Sequence, residues 1–261
     1  MAPVITLLSD FGLRDAYVGV MKGVIAQLCP EASVIDLTHE IPPQDLLAAR
    51  FNLLNAYPYF PEGTVHLAVV DPGVGTSRRG IAAQTEKGWL VGPDNGIFSG
   101  IWQVDPPLAA VALTRPEVWR SPTASTTFHG RDIFAPVAAR LARGEPLNRL
   151  GEALAPERLV RLDLPPVTRQ DNQVQGCVQY CDRFGNLITN LLVSDLPSTR
   201  WVAEIAGQTL PSAQTYGEVA VGQPLALVGS HGWVEIAVNG GSAQQHLQTA
   251  VGAPVALRPV E

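Results

Sequence analysis

Three side chains in this sequence have the chemistry to activate water: a carboxylate, a guanidinium and an imidazole. Asp71 and Arg78 share the glycine-rich run Asp71-Pro72-Gly73-Val74-Gly75-Thr76-Ser77-Arg78, directly after the apolar stretch Thr64–Val70. His129 lies in a second polar run, Thr127-Phe128-His129-Gly130-Arg131-Asp132. Together such groups orient a water molecule and manage its proton near neutral pH. Plainer readings exist for each: a Pro-Gly turn with a solvated aspartate, and a satisfied structural histidine.

Further polar marks follow or precede apolar segments. Asp10, after Val4–Leu8, stands where a carboxylate accepts hydrogen bonds from both hydroxyls of a ribose, or where it caps the next segment. Gly92-Pro93-Asp94-Asn95-Gly96 follows Trp89–Val91, so four such marks are expected to rim one cleft. Asp182, Phe184 and Asn186 combine an acid, an aromatic face and an amide within five residues, groups suited to a charged aromatic ligand. Gly229-Ser230-His231-Gly232-Trp233 is a second turn of this kind.

The elements that must position these residues follow from periodicity. Thr64–Val70 reads as a buried strand ended by Pro72, and this puts Asp71 at a strand's carboxyl end, the edge where open α/β sheets bind ligands. Helices are expected over 16–28, 45–56 and 131–143, the last closed by Gly144. Short apolar strands alternate with these helices as far as Leu164, which predicts an α/β domain over residues 1–165 with a mostly parallel central sheet flanked by helices. A Pro-rich polar stretch then leads into short β-like runs separated by turn residues, a small all-β domain over residues 170–261.

Composition narrows the function classes. The 261 residues are 46% hydrophobic and 16% charged, enough to bury a sizeable core. The net charge of −6 and the absence of any Lys/Arg patch speak against nucleic acid as a partner. Residues 170–261 hold seven acidic and three basic residues, so a cationic ligand is tolerated there. Only Lys22 and Lys87 are lysines and neither sits in a phosphate-binding loop, which weakens phosphoryl transfer. Three cysteines are too few for a disulfide framework and suit a reducing cytoplasm. No signal peptide or membrane span is read from the sequence. A metal site built from Asp10, Asp71, Asp94, His129 and Asp132 lacks paired histidine spacing, and the interleaved Arg78 and Arg131 oppose a dication, so no metal is expected.

Taken together, LLSDFG at 7–12, FPEGTVHLAVVDPGVGT at 60–76, GPDNG at 92–96, TFHGRDIFAP at 127–136, DRFGNLITN at 182–190 and GSHGWVEIAV at 229–238 resemble the S-adenosylmethionine (SAM) hydroxide adenosyltransferases. These SAM hydrolases are related to SAM-dependent chlorinases and fluorinases. The resemblance covers nearly the whole chain. It implies hydrolysis of SAM to adenosine and methionine, no cofactor, and a homotrimer whose sites lie at subunit interfaces, between the N-terminal domain of one subunit and the C-terminal domain of its neighbour. It also implies that Asp71, Arg78 and His129 are the hydrolytic set and Asp10 the ribose ligand. Asp182, Phe184 and Asn186 match positions that hold the methionine end and the adenine, and Ser230 a methionine-carboxylate contact. The halogenases resemble this chain but carry Tyr where it has Asp71 and an aromatic hydroxyl where it has His129, which favours hydrolysis. A 5′-halogenase and a non-catalytic SAM or adenosine sensor are the rival readings.

Overall fold

The computed structural model describes residues 2–197 and 200–260, and the chain divides into two compact units, Met1–Leu162 and Asp163–Glu261. The outermost residues of the expected domains, Met1 and Glu261, lie outside the described set.

In the first unit the elements run β1 (Val4–Ser9), α1 (Tyr17–Leu28), β2 (Ser33–Thr38), α2 (Leu46–Ala56), β3 (Thr64–Val69), β4 (Gly80–Gln84), β5 (Gly88–Pro93), α3 (Ser99–Val104), β6 (Ala109–Ala112), α4 (Ala135–Ala142) and β7 (Glu152–Leu154). Among the described residues these strands form a seven-stranded sheet of order β2-β1-β3-β5-β4-β6-β7. Every residue of β3 is buried, as a central strand covered on both faces requires. Ile5, Leu7, Val65, Leu67 and Val69 alternate along β1 and β3 and meet Met21 and Ile25 of α1 and Val137 and Leu141 of α4 in one apolar cluster. That packing sets the carboxyl ends of β1 and β3 side by side, with Ser9 opposite Val69.

The sheet is mixed, which corrects the expectation of a mostly parallel one. β1 pairs parallel with β2 and β3, and β3 with β5, but β4 pairs antiparallel with β5 and β6, and β6 with β7. The reason is chain length. Only Thr85–Lys87 separate β4 from β5, whereas a parallel return needs a crossover of about a dozen residues.

The second unit is antiparallel throughout its strand ladders: β8 (Thr168–Gln170), β9 (Gln173–Cys181), β10 (Leu187–Leu192), β11 (Trp201–Ile205), β12 (Gln208–Pro211), β13 (Pro224–Val228), β14 (Trp233–Val238) and β15 (Pro254–Pro259), with the short helix α5 (Ala243–Leu247) between the last two. The order is β12-β11-β15-β9-β10-β14-β13, and β8 pairs with β9. A bridge between Ser212 and Ala226 draws the two ends of that order together, so the sheet nearly closes and its edges are protected. Val178, Leu187, Leu191, Ile205, Val234, Ile236 and Leu257 fill its interior.

Candidate active site

Beyond β3 the backbone makes two tight turns, with Val74 N–H donating to Asp71 O at 3.2 Å and Thr76 N–H to Gly73 O at 3.2 Å. Gly75 lies at φ +75°, and a Cβ there would stand 2.2 Å from Thr126 O. Only glycine permits that approach, so the loop seats directly against the segment leading to His129. The turns bring Arg78 back over Asp71. Arg78 Nε donates to Asp71 Oδ1 at 2.9 Å and Nη2 to Oδ2, a bidentate pair. The guanidinium packs on Phe134, 5.5 Å from its centroid.

His129 precedes a single π-helical turn, Gly130–Phe134, which continues into α4. Such turns are frequent at functional sites because the extra residue redirects a side chain. Arg78 Nη2 stands 3.1 Å from His129 Nδ1, across 51 residues of sequence. A guanidinium has no lone pair to offer, so Nδ1 is the acceptor and the proton of the neutral ring sits on Nε2.

Burial lifts the Asp71 carboxyl above its usual range, against the opposing pull of Arg78. Burial and then the positive charge of Arg78 push the His129 imidazole down, outweighing Asp71 and Asp132. The bidentate pair with Arg78 is the contact of an ionised Asp71, and the lowered His129 favours the neutral ring.

Asp71 and His129 line a cavity of about 380 Å3 together with Asp10, Gln44, Val74 and Gly130. Its apolar wall is an aromatic cluster of Phe11, Tyr17 and Phe128, with centroids 5.2 to 5.8 Å apart. Asp10 Oδ2 accepts from Gln44 N–H at 2.8 Å. Gln44 holds φ at 66°, a conformation disfavoured for a non-glycine residue and common at ligand sites. The roles of the aromatic wall and of Gln44 are not evident from the sequence: Phe11 and Phe128 sit inside the polar runs at 7–12 and 127–136, and the Pro42-Pro43-Gln44-Asp45 turn is the local signal for Gln44. A larger recess of about 570 Å3 beside the β8–β9 turn holds none of the candidate residues, so its size carries no chemistry.

Three of the four expected polar marks meet at this cavity, and the fourth does not. Asp94 is buried and its carboxylate is consumed by Arg79 Nε at 2.9 Å and Val160 N–H at 2.8 Å. The Gly92–Gly96 segment is thus an internal tie. Asp132 is likewise taken up by Arg131 and by Ser125 N–H, pinning the loop before His129. Among the described residues no cluster of three or more His, Cys, Asp or Glu side chains is placed to hold a metal.

The remaining candidates belong to the second unit. Asp182 folds its own turn: Oδ1 accepts from Phe184 N–H and Asn186 N–H, each at 2.9 Å, and Oδ2 from Asn186 Nδ2 at 3.0 Å. Gly185 is required there, since a Cβ would lie 2.0 Å from Ser242 Oγ. The turn presents Phe184 to solvent, 76% exposed, with Asn186 buried beneath. Ser230 is exposed in the β13–β14 turn. Beside it His231 Nε2 lies 3.3 Å from Glu235 Oε2, and Tyr216 Oη donates to Glu235 Oε1 at 2.7 Å. Burial and the neighbouring Glu235 push the Tyr216 phenol up to about 12, so it stays a donor.

An α/β unit carrying an Asp-Arg-His set at its strand ends, joined to a small β-barrel-like unit, defines a two-domain class of protein whose site is equipped to handle water. Residues 5–151 match the model of the SAM hydroxide adenosyltransferase N-terminal domain and residues 176–256 that of the C-terminal domain. The chain is 47% identical to a Thermus thermophilus protein named (R)-S-adenosyl-L-methionine hydrolase, over 98% of this chain and all of that one. A Salinispora arenicola protein of the same name is 43% identical over 96% of this chain and 95% of its own. A fluorinase from an Actinoplanes species stands further off, at 27% identity over 91% of each. The crystal structure of an uncharacterized conserved protein from Thermotoga maritima superposes with a TM-score of 0.90 at 36% identity, covering 97% of this chain and 99% of the other. This chain belongs to the SAM hydroxide adenosyltransferase family.

Proposed function

We propose that this protein hydrolyses S-adenosylmethionine to adenosine and methionine by in-line attack of water at the ribose C5′. The observation that carries the reading is Arg78 bonded at once to Asp71 and His129 beside the cavity. The sulfonium leaves as neutral methionine, so no general acid is needed; the protein has only to position and deprotonate a water. His129, with its proton on Nε2, donates to the water oxygen and orients it. Asp71, whose carboxyl is raised by burial, accepts the water's proton. Arg78 holds both groups and stabilises the developing hydroxide charge. Asp10 takes the ribose hydroxyls and the aromatic wall covers the apolar part of the substrate. SAM is the substrate, and we propose that neither a cofactor nor a metal takes part.

The site is completed, in this proposal, by the second unit of a neighbouring subunit in a homotrimer. There Asp182 and Asn186 hold the polar ends of the ligand, Phe184 stacks on the adenine and Ser230 meets the methionine carboxylate. Phe184, and Leu13, Tyr17, Val20 and Ile35 on the first unit, are exposed and thus available to such an interface. The mass of the particle in solution tests the trimer. A cytoplasmic location is proposed on the cysteine usage. Among the described residues no helix is long and apolar enough to cross a membrane.

Incubation with SAM in chloride-free buffer and with added chloride tests the reaction. Adenosine and methionine in both buffers establish hydrolysis. A chlorinated nucleoside formed only with chloride would transfer the protein to the halogenase class, and unchanged SAM with measurable binding would make it a sensor.

A further inference from the structure

We propose that His39 is a positioning residue for this reaction, holding Asp10 in place through the backbone on both sides of it. The inference rests on the reading of Asp10 as the ribose ligand. Ser9 and Gly12 flank Asp10, and both end on His39. Ser9 Oγ lies 2.7 Å from His39 Nδ1, and Gly12 N–H donates to His39 O at 2.8 Å. The segment that starts at His39 then reaches Gln44, whose N–H donates to Asp10 Oδ2. The carboxylate of Asp10 is thus clamped by two strand-end loops, tied at Ser9 to the buried His39 imidazole and at Gly12 to the His39 backbone carbonyl.

The polarity of this imidazole is set from outside. His39 Nε2 stands 3.0 Å from Asp36 Oδ1, off the line of an ideal hydrogen bond but close enough that a lone pair on Nε2 would face a carboxylate. The Nε2 nitrogen therefore carries the proton, which in the neutral ring leaves Nδ1 to accept from Ser9 Oγ–H. Ser9 Oγ in turn accepts from Phe11 N–H at 3.3 Å. Asp36 is held by Lys22 Nζ at 2.6 Å. Burial alone would raise the Asp36 carboxyl, but Lys22 and His39 outweigh it and keep it below its usual range. The chain Lys22–Asp36–His39–Ser9 runs from α1 through β2 to the end of β1, next to the cavity-lining Asp10.

Ser9, His39 and Asp36 have the composition of a nucleophilic triad, but Ser9 is 1% exposed and its oxygen already serves Phe11, so no acyl group can reach it. Their service is mechanical, carried to the reaction by Asp10.

The test is a double-mutant cycle between Asp10→Asn and His39→Ala, read in adenosine affinity by calorimetry and in the KM and kcat for SAM, with melting temperature recorded alongside. Each single substitution is expected to weaken adenosine binding and raise KM by about tenfold, the factor of one lost hydrogen bond, with a smaller change in kcat. The double variant is expected to be no worse than Asp10→Asn alone, which separates positioning from general destabilisation. His39→Asn, whose amide nitrogen and oxygen reach the place of Nδ1, restores most of the affinity. If His39→Ala does not fold, His39→Gln, which withdraws the group facing Ser9, is read in the same cycle. A lowered melting temperature with unchanged affinity and KM, or full additivity in the cycle, overturns the proposal and leaves the hydrolase reading standing. If wild-type protein binds adenosine without hydrolysing SAM, the cycle is read in affinity alone. If Asp10→Asn changes nothing, the ribose reading falls and the role of His39 with it. Labelling of Ser9 by a fluorophosphonate would also overturn it.

Discussion

The polar turns of the two units are built on opposite plans. In the first unit the polar groups are partly buried and tied to other segments: Asp71 to Arg78, Arg78 to His129 across 51 residues, Asp10 to the Gln44 backbone across 34. In the second, Asp182 satisfies itself within five residues and raises an aromatic ring into solvent. A site that must hold reacting atoms spends its hydrogen bonds on fixing catalytic side chains before the ligand arrives. A site that only grips spends them on its own backbone and leaves the gripping surface bare. The contrast fits the proposed division of chemistry to the first unit and recognition to the second.

That division can be broken most directly at Arg78. Arg78→Ala is expected to lower kcat by about 100- to 1,000-fold with little change in KM, the cost of removing a charge-stabilising donor. A raised KM with turnover intact would move Arg78 to the gripping side. Phe184→Ala should do the reverse, raising KM by about tenfold and sparing kcat, as the loss of one stacked aromatic face does. Steady-state kinetics on the two variants decide the matter together.

Asp94→Asn sharpens the distinction between the cavity and its frame. It strips the charge from the ties to Arg79 and Val160, so about 1–3 kcal/mol of stability should be lost in denaturant unfolding while kcat and KM stay near wild type. A catalytic defect would return the Gly92–Gly96 segment to the cleft.

The smallest expected effect is a displacement of the pH–rate profile. In the proposed mechanism, activity requires Asp71 ionised and His129 neutral. Burial raises Asp71 while burial and Arg78 lower His129, so activity should fall on the acid side as the two groups take up protons. Arg78 lowers both groups, so the residual activity of Arg78→Ala should show this acid limb at higher pH than wild type. An unshifted limb would mean that neither group titrates in the rate-determining step.

Legibility in the sequence followed the range of the interaction. Asp71 at a strand end, the helix expected over 16–28 and found at Tyr17–Leu28, and the all-β character of the second unit could be read because each depends on neighbours a few residues away. The sheet's mixed character is hidden in the sequence because alternating apolar runs look alike whether the chain crosses over or turns back; the short Thr85–Lys87 link sets β4 antiparallel to β5. Asp94 was misplaced because a Pro-Asp-Asn-Gly turn reads as exposed, and only tertiary packing brings Arg79 and Val160 to its carboxylate.

By itself the sequence determined which residues carry charge, where apolar runs end, and that Asp71 and Arg78 share one glycine-rich loop. The tertiary structure alone decided that Arg78 meets His129, that Gln44 and His39 bracket Asp10, and that Asp71 is buried enough to be raised while His129 is lowered. Side-chain identity and local turns are written along the chain, whereas proton placement and pKa depend on distances and burial set by packing among distant segments.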